Sequence, residues 1–251
     1  MKTSKWRWPI AAALVCATAT YAQDNASAVR AALQSKYPKT AVGEVRATPL
    51  PGVYEVAFGR NIVYSDKSGR YFFFGRLFDM QTQQDLTEPR LAAVDRIDVA
   101  SLPLADAIKD VRGNGQRTLV VFSDPDCPYC RRLEEQIKDL TNVTVYTFLF
   151  PLDQIHPDAR AKAIAVWCSN DKAAAWRALM LRGEKPAGAK DGCDHPLERI
   201  SSLAARLGVQ GTPTLFSGDG RRRNGGGTVA DIEAFLSGER LAHNANAGAA
   251  K

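Results

Sequence analysis

The spacing of apolar positions changes several times along this chain, and each change marks an element. Over Asp24 to Lys36, Ala28, Val29, Ala32 and Leu33 recur at helical spacing, and Tyr37-Pro38 ends the pattern. The period then shortens. Gly52-Val53-Tyr54-Glu55-Val56-Ala57-Phe58 and Asn61-Ile62-Val63-Tyr64-Ser65 flank a Gly59-Arg60 turn. Asp66-Lys67-Ser68-Gly69 leads into Tyr71-Phe72-Phe73-Phe74-Gly75, so a three-stranded meander is predicted. From Gln84 to about Ala100 the chain turns polar, with Pro89 near the start and Leu91, Ala92, Val94 and Ile97 spread through it. This predicts a linker helix.

The region from Ser101 to Gly238 carries a different order. A strand is predicted over 117–123, a helix over 131–140 and a strand over 143–150. Helices follow over 157–169, 172–182 and 196–207, then strands over 214–217 and 221–224, and a last helix over 228–236. A βαβ unit, a helical excursion and a closing ββα is the thioredoxin arrangement with an inserted helical cap. The fold class expected is mixed α+β and α/β. A small N-terminal domain (23–83) and a linker helix (84–100) precede a thioredoxin-like domain (101–240), and a small, polar tail (241–251) follows. A domain of about sixty residues sits at the lower edge of independent stability, and a meander leaves its edge strands open. The N-terminal domain is therefore expected to dimerise; packing onto the larger domain of the same chain is the alternative.

Charge changes the picture only near the start. Lys2, Lys5 and Arg7 precede an apolar core, Ile10 to Ala17, and Thr20-Tyr21-Ala22 closes it with small residues where cleavage needs them. This predicts a signal peptide over 1–22, too short in its apolar run to span a bilayer well. The whole chain has 33 Lys and Arg against 27 Asp and Glu; losing the three basic residues of the leader leaves 30 against 27. So balanced a protein is no obvious nucleic-acid binder.

Of the five cysteines, Cys16 leaves with the leader, and Cys127, Cys130, Cys168 and Cys193 remain. An even number in an exported chain favours two disulfides, and 127–130 with 168–193 is the simplest of three connectivities. Cys127-Pro128-Tyr129-Cys130 follows the strand Leu119-Val120-Val121-Phe122. Pro128 suits a first helical position, which places Cys127 at a helix N-terminus, exposed, where free N–H groups favour a thiolate. Such placement can depress a cysteine pKa from ~8.5 toward 3.5–7.5. Cys130, one turn on, is expected to be more buried and to resolve. Arg131 and Arg132 favour the thiolate, and Asp124 and Asp126 oppose it. A zinc site is not expected, because Cys168 and Cys193 are not a close pair and no His stands at ligand spacing. No metal and no cofactor is expected. His156, His195 and His243 are expected at the surface without catalytic work. Arg221-Arg222-Arg223 with Gly225-Gly226-Gly227 reads as a solvated hairpin turn, since no phosphate-loop pattern surrounds it.

Further matches give a resemblance. Val121-Phe122-Ser123-Asp124 runs into the Cys-x-x-Cys, then Leu133-Glu134-Glu135-Gln136. Val166-Trp167-Cys168-Ser169-Asn170-Asp171-Lys172 follows, then Cys193, then Leu207-Gly208-Val209-Gln210-Gly211-Thr212-Pro213. In this order they resemble the DsbC/DsbG family of periplasmic thiol:disulfide isomerases, the DsbC branch more closely.

The resemblance implies V-shaped homodimers joined through cystatin-like N-terminal domains. Cys127 would attack, and Cys130 would be its partner in a redox-active disulfide. Thr212 and Pro213 would form a cis-proline element that binds substrate, and Cys168–Cys193 would be structural. Substrates would be misfolded or oxidised exported proteins, chaperone activity would accompany the exchange, and a DsbD-like membrane reductase would keep the active pair reduced. The Pro128-Tyr129 dipeptide departs toward the DsbG branch, where Gly-Tyr is common in DsbC. Disulfide isomerisation is the expected function. A DsbG-like reductase of sulfenylated single cysteines, a DsbA-like oxidase and a holdase without redox chemistry are the alternatives.

Overall fold

The computed structural model describes residues 15–187 and 192–238. The start of the expected leader, His243 and the tail lie outside the described residues. The chain divides into two compact units, one ending at Asp95 and the other beginning at Arg96.

In the first unit, α1 (Val15–Lys36) precedes β1 (Val42–Ala47), β2 (Val53–Phe58), β3 (Asn61–Asp66) and β4 (Phe72–Phe73), which form an antiparallel sheet in that order. Strands β5 (Phe78–Asp79) and β6 (Gln84–Asp85) make a small hairpin before α2 (Glu88–Val94). The alternation of β2 explains why both faces of the sheet are covered. Tyr54 and Val56 join Val63 against Val29 and Leu33 of α1. Val53 and Ala57 join Ile62 and Tyr64 against Leu77 and the α2 residues Leu91 and Val94. Glu55 lies on this second face and accepts from Arg90 Nε at 2.7 Å.

Four expectations need correction here. Within the described residues α1 already runs from Val15, inside the expected leader, and no proline or glycine interrupts it as far as Lys36. Its buried stripe is Ala26, Val29 and Leu33, whereas Ala28 and Ala32 are exposed. The foreseen third strand shrinks to Phe72–Phe73, and β1 was not foreseen. Only Val42 and Val45 of β1 are buried, and a register shift between them breaks the alternation that marks a strand. The helix foreseen over 84–100 is confined to Glu88–Val94 and packs on the sheet.

In the second unit two short 3₁₀ turns, Val99–Ser101 and Leu104–Asp106, lead to β7 (Ile108–Arg112) and β8 (Arg117–Ser123). Then come α3 (Pro128–Ile137), β9 (Val143–Leu149), α4 (Ala159–Trp167), α5 (Lys172–Arg182), α6 (Leu197–Arg206), β10 (Thr214–Ser217), β11 (Arg222–Asn224) and α7 (Val229–Ser237). The sheet order is β11-β10-β8-β9-β7, with β8 and β9 parallel and the other pairs antiparallel. This is the thioredoxin-like architecture with a helical insertion, α4 to α6, between β9 and β10. Strand β8 is apolar without alternation because both its faces are covered. Leu119 and Val121 pack with Leu133 and Ile137 of α3 and Ile232 and Phe235 of α7. Val120 and Phe122 pack with Phe148 and Phe216 under the inserted helices. Burying each such large side chain contributes about 1.5–3 kcal/mol.

Strand β7 was not foreseen, since Ile108 is its only buried residue and charged side chains fill an edge position. The three arginines are not a solvated turn. Arg221 Nη2 donates to Phe235 O at 2.7 Å, at the end of α7, and Arg223 Nε donates to Gly226 O at 3.0 Å. Arg222 donates to Leu207 O and Gly208 O just past α6. Carbonyls left over at the ends of α7 and α6 recruit Arg221 and Arg222.

Candidate active site

Strand β8 ends at Ser123, and the chain turns through Asp124-Pro125-Asp126 before α3. Cys127 N–H donates to Asp124 O at 3.2 Å, and Asp126 N–H to Asp124 Oδ1 at 2.7 Å. Cys127 is the N-cap of α3, with extended backbone (φ −72°, ψ 121°), and Pro128 begins the helix. Proline is pre-set for that position and its missing N–H loses nothing there. The helix therefore starts at Pro128, three residues earlier than the apolar pattern indicated.

Cys127 and Cys130 are both free thiols. The Cys127 thiolate is favoured by the Cys130 thiol first, and then by the backbone N–H groups of Cys130 and Tyr129. Burial opposes them. The donors win, and the Cys127 pKa falls to about 5. Cys130 is shifted the other way, mainly by burial and then by the hydrogen bond it gives Cys127. Asp124 N–H also points at Cys130 Sγ, at 3.5 Å.

Cys127 is less open than expected, only 5% exposed. The segment before β10 covers it: Cys127 Sγ stands 3.5 Å from the Thr212 carbonyl oxygen. The Thr212–Pro213 peptide is cis, and Thr214 pairs with Phe122 at the end of β8. Sheet pairing thus carries Thr212 and Pro213 to the cysteines. Tyr129, between the two cysteines, is exposed.

Cys168 and Cys193 lie elsewhere in the fold, joined in a disulfide with Cα atoms 6.1 Å apart. It ties the end of α4 to the segment before α6. Beside it, Trp167 Nε1 donates to Asp194 O at 3.1 Å.

His156 corrects an expectation. It is not a free surface residue: Nδ1 lies 3.0 Å from Oδ2 of Asp124, a side chain with no exposed surface. The hydrogen bond that the ring gives Asp124 raises its pKa, burial lowers it, and the charges of Asp124, Cys127 and Asp126 raise it further. No local pattern marks this residue, because its partner lies 32 positions away. The cations beside the motif are also rearranged. Arg131 and Arg132 are exposed, while Lys162 of α4 pairs with Asp126.

Residues 104–238 match the thioredoxin-like domain family, and residues 20–88 match the disulfide bond isomerase protein N-terminal domain. A relative from Bordetella parapertussis, named "Probable thiol:disulfide interchange protein DsbC", is 36% identical over 212 residues, covering 84% of this chain and 74% of the relative. The Escherichia coli K12 thiol:disulfide interchange protein DsbC is 24% identical over 225 residues, covering 89% of this chain and 92% of the relative. Among solved structures, a disulfide interchange protein from Neisseria gonorrhoeae aligns with TM-score 0.53 and 43% identity, over 55% of this chain and 98% of that one. With a redox-type cysteine pair at a helix start, and both of its units matched, the chain belongs to the DsbC family of thiol:disulfide interchange proteins.

Proposed function

We propose that this protein isomerises or reduces non-native disulfides in exported proteins, with Cys127 as the attacking sulfur and Cys130 as its resolving partner. The observation that carries the reading is the asymmetry of the two sulfurs. Cys127, with a pKa of about 5, is a thiolate at neutral pH, while Cys130 keeps its proton. A thiolate with its resolving thiol beside it is the reactive arrangement for exchange.

The Cys127 thiolate attacks one sulfur of a wrong disulfide. That S–S bond breaks, its electron pair leaves on the second substrate sulfur, and a Cys127–substrate disulfide forms. Another substrate thiolate then attacks the attached substrate sulfur and expels Cys127 as thiolate, so the disulfide has moved with no net electron transfer. If this stalls, Cys130 gives up its proton and attacks Cys127 Sγ. The substrate leaves reduced, and 127–130 becomes a disulfide that needs two electrons from a dithiol donor. A DsbD-like membrane reductase is the proposed donor.

Thr212 and Pro213 border the sulfur and serve as the substrate-binding segment. Cys168–Cys193 serves as a structural bridge. The match of residues 20–88 to the isomerase N-terminal domain supports a homodimer joined through that unit. The basic and apolar leader supports export to the periplasm.

Refolding of scrambled ribonuclease under reducing conditions tests the function. Reactivation is expected, with loss in Cys127→Ala and accumulated mixed disulfides in Cys130→Ala. Activity confined to fully reduced ribonuclease would instead mark an oxidase. Light scattering tests the dimer.

A further inference from the structure

Asp124 places a buried carboxylate three residues ahead of the nucleophile, where its negative charge disfavours a second one on the sulfur. The carboxylate is well held. Oδ1 accepts from Asp126 N–H at 2.7 Å, and Oδ2 accepts from Leu152 N–H at 2.6 Å and faces His156 Nδ1 at 3.0 Å. When His156 carries both ring protons, the pair is neutral; when it carries one, the pair has a full negative charge.

We propose that His156, anchored on Asp124, is a positioning residue that offsets the carboxylate's charge beside Cys127, so that the imidazolium and the thiolate favour each other. This rests on the reading of Cys127 as the nucleophile. The cap geometry supports it, because Asp124 joins the two: its carbonyl accepts the Cys127 N–H and its carboxylate meets the ring. The electrostatics agree, since the charge on Cys127 raises the His156 pKa. The other charges near the ring are themselves paired, and Asp126 still adds to the rise of the His156 pKa. Asp126, on the loop into α3, pairs with Lys162 of α4. Asp153, on the loop that carries His156, pairs with Arg160 of α4 at 3.4 Å. Arg131 and Arg132 of α3 are exposed.

Coupling of this kind is reciprocal: what His156 does to Cys127, Cys127 does equally to His156. The test uses the reduced full-length protein. Thiolate absorbance against pH reads Cys127, and an NMR titration of the ring reads His156. In His156→Gln the Cys127 midpoint is expected to rise by roughly one pH unit, a tenfold change in the ratio of thiol to thiolate. In Cys127→Ser the His156 midpoint is expected to fall by the same amount. This second arm keeps the native ring, so it reads out even where His156→Gln folds poorly. A low wild-type Cys127 midpoint that His156→Gln leaves in place, or a His156 titration indifferent to Cys127→Ser, overturns the proposal and leaves the nucleophile standing. A wild-type sulfur that stays protonated beyond about pH 8 overturns the nucleophile itself.

Discussion

The Thr212 carbonyl oxygen stands 3.5 Å from Cys127 Sγ across 85 positions of sequence. It is the point where the closing half of the thioredoxin-like unit reaches the reactive helix. A carbonyl oxygen accepts from a thiol but repels a thiolate, so this contact does not lower the Cys127 pKa. The Cys130 thiol and the N–H groups of Cys130 and Tyr129 do.

From this follows a pH dependence. Cys127 has a folded pKa of about 5, against an ordinary 9.0. Between those values the unfolded chain holds a proton that the folded protein has released, so stability rises with pH across the interval. That contribution is lost as pH falls through the folded value. The reduced protein is expected to gain stability over Cys127→Ser as pH rises from 5 to 9. Urea unfolding of both proteins at several pH values checks this, and parallel curves would contradict the low pKa.

The Cys168–Cys193 bridge closes a loop with a sequence separation of 25. In the chain-entropy description, a loop of that length stabilises the fold by about 3–4 kcal/mol. Replacing both cysteines by alanine is expected to lower the unfolding free energy from urea titration by that amount. Exchange activity per folded molecule is expected to persist. Loss of activity in a variant shown to be folded would assign this pair a redox role.

Local chemistry was legible in the sequence; of the long-range closures, the Cys168–Cys193 bridge and the cis Thr212–Pro213 segment were foreseen, and the sheet edges and the His156 pairing were not. Strand β8 could be read because Leu119 to Phe122 is buried on both faces and its apolar run is unbroken. The start of α3 was set by Pro128. Edge strands β1 and β7 were hidden, since one or two buried residues leave no period. The covering of Cys127 by Thr212 and the pairing of His156 with Asp124 appear only once the sheet has formed. Arg221 and Arg222 misled for the same reason: they bind carbonyls at the ends of α7 and α6, 14 or 15 positions away.

Arg222 offers a test of that last point. Its guanidinium donates to Leu207 O and Gly208 O and lies 5.0 Å from the centre of the Phe216 ring. Arg222→Ala leaves two helix-end carbonyls without this donor and uncovers an aromatic face. A loss of about 1–3 kcal/mol is expected in urea unfolding. A change below about 0.5 kcal/mol would fit the solvated turn instead.

Glu134 gives a pH response of opposite sign. It lies one turn beyond Cys130 in α3 and is only 2% exposed. Trp176 Nε1 donates to Glu134 Oε1 at 2.8 Å, and the Arg112 guanidinium stands 3.9 Å from Oε2. Burial pushes its pKa above the ordinary 4.5, and the Trp176 hydrogen bond and the Arg112 charge only partly restrain it. The folded protein therefore holds this proton more tightly than the unfolded chain does, and stability falls as pH rises from 4.5 through the folded value. Glu134→Gln keeps an acceptor for Trp176 and cannot ionise. Its stability relative to wild type is expected to improve as pH rises through that window, whatever the offset at low pH. Trp176→Phe, which strips the carboxylate of its donor, is expected to cost about 1–3 kcal/mol. Urea titrations of the three proteins from acid to neutral pH check both statements. If wild type and Glu134→Gln respond to pH in parallel, Glu134 ionises as readily inside the fold as outside it.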